Sequence, residues 1–207
     1  MRKPSLGTVC IVLGVLLMLA AGGLYAYNRY EDAHAGAEAQ TVVQDLEEKV
    51  VEKTETVAES TPEEMTAELP SVFVDGYDYV GVLTIPALDL RLPVMQDWSY
   101  PKLKIAPCRQ YGSSRTNDLV IAAHNYETHF GKIGTLAVGD EVRFTDMDGI
   151  DNYYSVQKVE VHDPTDVDAV KNSGYDLVLY TCTYGGKARV AAFCLLDSPD
   201  DQIDIAE

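Results

Sequence analysis

The feature that most constrains the fold is a pair of apolar runs joined by a Tyr-Gly-Gly turn, between Asp176 and Leu196. Both runs are rich in β-branched and aromatic residues, which predicts an antiparallel β-hairpin. The first strand is expected to end at Cys182 and the second to begin near Arg189. Because side chains alternate along a strand, Cys182 should share a face with Tyr180, where the apolar run gives way to a polar loop. A thiol held there by a rigid sheet has the position of a nucleophile.

Short apolar runs elsewhere in the chain predict an all-β domain. They lie at residues 80–85, 88–95, 118–124, 141–145 and 153–162. Their spacing is typical of an antiparallel barrel or sandwich, and long helical patterns do not alternate with them as in a doubly wound fold. Residues 96–117 are predicted as a looser segment with room for a short helix. Short helical turns fit residues 132–137 and 166–172.

An uncharged apolar run at residues 8–27 has the length needed to span a bilayer. Arg2 and Lys3 precede it, so the positive-inside rule predicts a cytoplasmic N-terminus and an extracytoplasmic remainder. The small-x-small sequence at residues 33–35 leaves a cleaved signal peptide as the alternative, although the run is long for one. We therefore predict a cytoplasmic tip and membrane anchor over residues 1–30.

Residues 31–71 are predicted as an acidic stalk, because they carry twelve acidic residues against two lysines. Apolar residues at helical spacing share one face there: Val43, Leu46, Val50 and Val57. The stripe favours a helix over about residues 37–60 in a stalk that is partly helical or disordered, with a dimerising coiled coil as the alternative. Residues 72–207 would form the folded domain. The net charge of −17, with no basic patch beyond the anchor, argues against nucleic acid as a partner.

The four cysteines do not form a disulfide framework. Cys10 lies in the apolar anchor, which leaves Cys108, Cys182 and Cys194 outside it. An odd number leaves at least one free thiol, and a Cys108–Cys194 bridge remains open. In the alternative, Cys194 is a small buried apolar residue and Cys108 has no special role.

A nucleophilic thiol needs a base, and His124 is the best-placed histidine in the domain. It ends a buried strand where a polar loop begins, which mirrors the position of Cys182, whereas His129 and His162 are predicted to lie on the surface. Arg189 is the hairpin partner of the cysteine strand, and a guanidinium there can donate hydrogen bonds to a developing oxyanion. The residues by themselves suggest acyl transfer by a Cys/His/Arg set.

The same residues carry a resemblance to the sortase family. Leu-Tyr-Thr-Cys-Thr at residues 179–183 resembles the Thr-Leu-x-Thr-Cys strand motif of sortases. Arg189 follows Cys182 by seven residues and His124 precedes it by 58. Gly-Val-Leu-Thr-Ile-Pro at residues 81–86, with the Leu-Pro-Val that follows, matches the opening of the family domain. Together these motifs are specific, although each is weak by itself.

The resemblance covers about residues 77–197 and implies a closed eight-stranded sortase-type β-barrel with short helices. It implies Cys182 as nucleophile, His124 as acid/base and Arg189 as the substrate-positioning, oxyanion-stabilising residue. Thr181 would help to shape the substrate site. No cofactor and no metal are predicted; the acidic stretch at residues 146–151 superficially resembles a calcium loop, but it lacks the full ligand spacing and is interpreted as a turn.

The resemblance further implies a single-pass membrane transpeptidase whose catalytic domain is extracellular. Sortases cleave a Leu-Pro-x-Thr-Gly type sorting signal of surface proteins after Thr, form a thioacyl enzyme and pass the acyl group to an amine. That amine belongs to a peptidoglycan precursor in anchoring sortases and to a pilin lysine in polymerising ones. Since no lid is recognisable before the first strand, anchoring is favoured over pilin polymerisation. Two rival functions are a cysteine hydrolase and a non-enzymatic, membrane-tethered β-domain that binds envelope components.

Overall fold

The computed structural model describes residues 6–57 and 67–198. The helices are α1 (Leu6–Val57), α2 (Tyr100–Leu103) and α3 (Val167–Lys171), and the strands are β1 (Val72–Val74), β2 (Tyr77–Ile85), β3 (Leu90–Met95), β4 (Cys108–Tyr111), β5 (Leu119–Ala122), β6 (Glu141–Asp146), β7 (Asp151–His162), β8 (Leu177–Cys182) and β9 (Arg189–Leu196). Two 3₁₀ turns lie at Pro86–Leu88 and Ile133–Thr135. The hairpin predicted around the Tyr-Gly-Gly turn is confirmed as β8 and β9.

Eight strands close into a barrel in the order β2, β3, β4, β5, β8, β9, β7 and β6, and β6 pairs back with β2. β1 is an additional short strand on β2. Closure requires a close approach at Gly81, where a Cβ would lie 2.4 Å from the carbonyl oxygen of Thr145. The predicted eight-stranded barrel with short helices is thereby confirmed.

Two strand pairs of the barrel run parallel, although the spacing of the strands in the sequence is typical of an antiparallel barrel or sandwich. β5 and β8 run parallel, from Leu119 beside Leu177 to Ala122 beside Tyr180. β3 and β4 also pair in parallel, at one position. The sequence did not predict β4, because this four-residue strand has no apolar alternation and depends on pairing with β5.

Both faces of the barrel wall are covered beside the hairpin. Ile121 and Leu179 point into the barrel core. Alternate residues of the same strands, such as Val120 and Val178, form a second cluster on the outer face, with Phe193 of β9. Burial on both faces explains why these strands read as continuous apolar runs instead of alternating ones.

The chain divides into two compact units, Met1–His34 and Ala35–Glu207, and helix α1 has residues in both. In the first, the helix is apolar and exposed, and its most apolar 18-residue window has a mean hydropathy of 2.4. It is the one helix of the described residues long and apolar enough to cross a membrane, by length and composition. The basic residues 2 and 3 lie outside the described part of the chain.

In the second unit, part of the acidic segment predicted as a stalk packs on the barrel. Ala39, Val42, Val43 and Leu46 are buried there, so the apolar stripe seen in the sequence is a packing face. The last residues of the predicted helix, 58–60, lie outside the described residues.

All four cysteines are free thiols, so the Cys108–Cys194 bridge left open by the sequence is wrong. Cys194 lies in the barrel core and Cys108 in a separate apolar cluster. Burial raises the pKa of both thiols to about 12. Cys182 is instead partly exposed, which makes it the accessible thiol of the barrel.

Candidate active site

Three residues lie at one level across three neighbouring strands of the barrel wall. On the next strand, the parallel register places Ala122 beside Tyr180; His124 follows Ala122 by two residues, as Cys182 follows Tyr180. Cys182 is the register partner of Arg189, and Arg189 is the register partner of His162. Because neighbouring strands are about 4.8 Å apart, side chains on one face of this row are within reach of one another.

The row faces outward from the barrel. Cys182 lies on the same face of β8 as Val178, which belongs to the outer apolar cluster, and Tyr180, which packs against it. Leu179 lies on the opposite face and points into the core. The structure therefore places the thiol on the outer wall near one end of the barrel, with a core packed behind it. A packed core keeps such a row fixed in position.

A cavity of about 320 Å³ opens on this wall. Cys182 and Arg189 line it together with aromatic side chains and with polar groups from the β7–α3 segment; these further lining residues include Trp98, Tyr100, Tyr111, Tyr180, His162, Asp163 and Asp166. Its volume suits a short peptide segment, and it combines apolar walls with a few polar groups as binding sites commonly do. Ala122 and Ala123, which directly precede His124 in the chain, belong to the lining.

The ring of His124 is held by an aromatic stack in the loop that follows β5. It stacks on Tyr126 at 4.1 Å between centroids, with 13° between the planes. Tyr126 in turn meets the edge of His129 at 5.5 Å. His129 is completely buried, so its prediction as a surface residue is wrong. The loop folds back on itself, and the carbonyl of Tyr126 accepts hydrogen bonds from the backbone N–H groups of His129 and Gly131, at 3.0 and 2.8 Å.

Thr181 ties the two parallel strands together one residue before the reactive row. It is 3% exposed, and its hydroxyl donates a hydrogen bond of 2.9 Å to the carbonyl of Ala123. The backbone N–H of Ala123 donates to the carbonyl of Tyr180 at 3.1 Å. These two bonds hold Ala123, the residue before His124, against β8.

Arg189 lies between Cys182 and His162 and folds over the hairpin turn. Its Nη1 donates to the carbonyls of Gly186 and Ala188, both at 3.2 Å. The turn needs glycine, because Gly185 and Gly186 have φ angles of +82° and +71°. A guanidinium has three further N–H donors on Nε and Nη2, so these two bonds do not use up its donor capacity.

His162 lines the cavity, contrary to its prediction as a surface residue. Its side chain is 17% exposed, with Nε2 3.5 Å from Glu160 and Nδ1 3.8 Å from Asp166. The ring meets Phe193 edge-on at 5.6 Å. The segment after β7 folds back towards α3, which the sequence does not reveal. No local signal in the sequence reveals this position, because the pairing of β9 with β7 joins segments that no hairpin connects.

Sequence reasoning also missed the aromatic wall. Trp98 and Tyr100 meet edge to face at 5.6 Å between centroids, in the segment predicted as loose. Tyr180 donates a hydrogen bond from its hydroxyl to Gln110, and burial raises its pKa above the ordinary value, so the phenol stays protonated. The single Trp, two residues before a Tyr, was the available sequence signal.

The acidic stretch after β6 is a strand-linking turn, as predicted. The buried Asp146 carboxylate accepts hydrogen bonds from Arg115 Nη2 at 2.9 Å and Nε at 3.3 Å, and from the backbone N–H groups of Asp148 and Ile150. Arg115 also pairs with Asp148. An arginine thus supplies the positive charge at this turn. Among residues 6–57 and 67–198, no cluster of three or more metal-ligating side chains is present.

Comparison with known proteins gives one family. The family model of the sortase domain matches residues 83–197. No curated protein matches the chain. Solved structures that share the fold include the following three. A Clostridium perfringens sortase D5 transpeptidase has 20% identity and a TM-score of 0.57, and the match covers 78% of this chain and 99% of that one. Streptococcus pneumoniae sortase C has 21% identity and a TM-score of 0.57, and the match covers 76% of this chain and 97% of that one. Corynebacterium diphtheriae sortase A has 15% identity and a TM-score of 0.54, and the match covers 89% of this chain and 99% of that one.

Proposed function

The chain belongs to the sortase family, and we propose that it is a cysteine transpeptidase with Cys182 as its nucleophile. The observation that supports this proposal is the register pair of Cys182 and Arg189 at a cavity that both line; His124 follows the end of β5, the strand that pairs in parallel with β8. A thiol, an imidazole and a guanidinium at adjacent positions can attack, transfer protons and stabilise charge on one amide.

The reaction proceeds in two acyl transfers. The Cys182 thiol gives its proton to His124, the resulting thiolate bonds to the carbonyl carbon of the scissile peptide, and free N–H groups of Arg189 stabilise the oxyanion. The carbon–nitrogen bond then breaks, and the His124 imidazolium gives that proton to the departing amine. In the second half, neutral His124 accepts a proton from an incoming amine, which attacks the thioester and releases the Cys182 thiolate.

The substrate proposed is a Leu-Pro-x-Thr-Gly-like sorting signal at the C-terminus of a surface protein. The aromatic wall of Trp98, Tyr100 and Tyr111 suits the apolar and proline side chains of such a signal. The acceptor proposed is an amine of a peptidoglycan precursor. An amine of a pilin lysine, as in polymerising sortases, is the alternative acceptor.

The proposed location is the cell membrane, crossed once by the apolar part of α1. The basic residues before the run and the acidic ones after it favour a cytoplasmic N-terminus by the positive-inside rule. The barrel would then lie outside the cell, where both sorting signals and cell-wall precursors are found.

The test incubates the full chain, in detergent micelles, with a fluorescent sorting-signal peptide, with and without triglycine as the amine. Transfer product that requires the amine is expected for wild type and for Cys194→Ala. No product is expected for Cys182→Ala or His124→Asn, and Arg189→Lys should be strongly impaired because a point charge lacks the planar fork. Cleavage that ignores the amine would favour a hydrolase.

Thiol labelling provides a test that is independent of the substrate. Iodoacetamide should alkylate Cys182 well before Cys108 and Cys194, which are buried, with peptide mass spectrometry as the readout. Equal labelling, together with no peptide cleavage, would favour the non-enzymatic, membrane-tethered β-domain.

A further inference from the structure

Helix α1 touches the loop that follows His124. Gly36 faces Thr128 so closely that a Cβ on Gly36 would lie 2.8 Å from both Cβ and Cγ2 of Thr128. Non-bonded carbon atoms pack best at about 3.5–4.0 Å, so any side chain larger than hydrogen at residue 36 must displace the loop or the helix. Both residues belong to the compact unit of the barrel.

The helix is fixed on the barrel and is not free to move away. Its buried face includes Ala39, Val43 and Leu46. Gln40 Nε2 donates a hydrogen bond of 2.8 Å to the carbonyl of Arg91. The Arg91 side chain forms an ion pair with Glu47. Lys49 Nζ donates a hydrogen bond of 3.0 Å to the carbonyl of Phe73. The helix therefore acts as a fixed wall against the loop.

The loop is compact, so a shift at Thr128 reaches the histidine. Gly131 approaches the carbonyl oxygens of Asn125 and Tyr126 so closely that a Cβ would lie 2.7 Å from each. Tyr126 is held by backbone bonds at its carbonyl and stacks on His124. Tightly packed groups transmit displacement instead of absorbing it.

We infer that Gly36 and Thr128 are positioning residues, and that the contact between them lets helix α1 set the orientation of His124 for acyl transfer. The inference rests on the proposed function, because it assumes that His124 moves the proton. It also makes part of the acidic segment before the barrel a component of the catalytic unit.

The experiment compares four variants of the full chain in detergent, with the sorting peptide and triglycine: Gly36→Ala, Thr128→Gly, the two combined, and Gly23→Ala. Gly36→Ala should lower kcat about tenfold with little change in KM, because small errors in the placement of a reacting group are costly. In the double variant Gly36→Ala/Thr128→Gly, the loop loses the Cβ, Cγ2 and Oγ1 atoms that the new methyl group on the helix would meet, so kcat should recover to within about twofold of wild type. Gly23→Ala is the matched control, since its Cβ would meet nothing within 4 Å in the same helix.

A second readout does not depend on the peptide. The pH profile of Cys182 alkylation reports on the imidazole beside the thiol, and Gly36→Ala should shift it while the double variant restores it. If Gly36→Ala alone fails to fold, the double variant is compared with Thr128→Gly, and the double variant must be the more active of the two.

Two results would overturn the inference. One is a Gly36→Ala variant with wild-type kcat and alkylation profile while His124→Asn is inactive. The other is a double variant no more active than Thr128→Gly, which would show that the methyl group does not act through the loop. Failure of the proposed function is distinct from both, because wild type itself would then transfer no acyl group.

Discussion

Replacing Thr181 with Val tests whether the hydroxyl on the inner face of β8 sets the height of the reactive row. Valine has the shape of threonine, so packing is kept and only the hydrogen bond to the Ala123 carbonyl is lost. Thr181 is 3% exposed and Ala123 is 4% exposed, so water does not replace the lost donor. Leaving a buried acceptor without its donor costs about 1–3 kcal/mol. The free energy of unfolding should fall by that amount in urea titrations followed by Trp98 fluorescence.

Thr181→Ser is the matched control for this prediction. Serine keeps the hydroxyl but loses a buried methyl group, at a cost of about 0.5–1.5 kcal/mol. The two variants should therefore be destabilised to a similar degree, but only Val should lower kcat, because only Val releases β5 from β8 beside His124. A Val variant with wild-type stability and kcat would refute the reasoning. An increase in KM for the peptide, with stability unchanged, would instead indicate direct contact between Thr181 and the substrate.

Three further predictions concern the buried ion pair, the buried thiols and the cavity wall. Arg115→Met leaves the buried Asp146 carboxylate without its cation and should lower the free energy of unfolding by about 3–5 kcal/mol; a loss below about 1 kcal/mol in urea titrations would contradict a buried pair. Because burial raises the pKa of Cys108 and Cys194 from 9.0 to about 12, the unfolded chain releases these protons first as pH rises. The free energy of unfolding should therefore fall by about 1.4 kcal/mol per thiol for each pH unit above about 9. In Cys194→Val, the part of this decrease that comes from one thiol should be missing between pH 9 and 10. His162→Ala opens the cavity wall and should raise KM for the sorting peptide several-fold in steady-state kinetics; an unchanged KM would argue against peptide binding there.

Several parts of the site followed from local sequence alone. The hairpin was predictable because its two glycines permit the left-handed turn and its flanking runs are rich in residues that favour strands. The termini of the strands at Cys182 and Arg189 followed directly, and so did the turn after Asp146. These features depend on residues that are neighbours in the chain, so the sequence contains what specifies them.

The burial of two histidines could not be predicted in the same way. His129 and His162 both stand in polar stretches that read as surface loops. A loop folds back over each of them. His129 lies against Tyr126, and His162 lies against α3 and Phe193. Local polarity does not reveal such coverage, since the covering groups come from other elements.

The sequence by itself determined the membrane-length helix, the hairpin and the strand ends that carry Cys182 and Arg189, because periodicity and turn chemistry are encoded over a few residues. The tertiary structure alone decided that β5 lies parallel to β8, across a separation of 58 residues, and that α1 packs beside the loop of His124. A parallel pair has no connecting turn to fix its register, so backbone hydrogen bonds and core packing between distant segments determine which side chains meet.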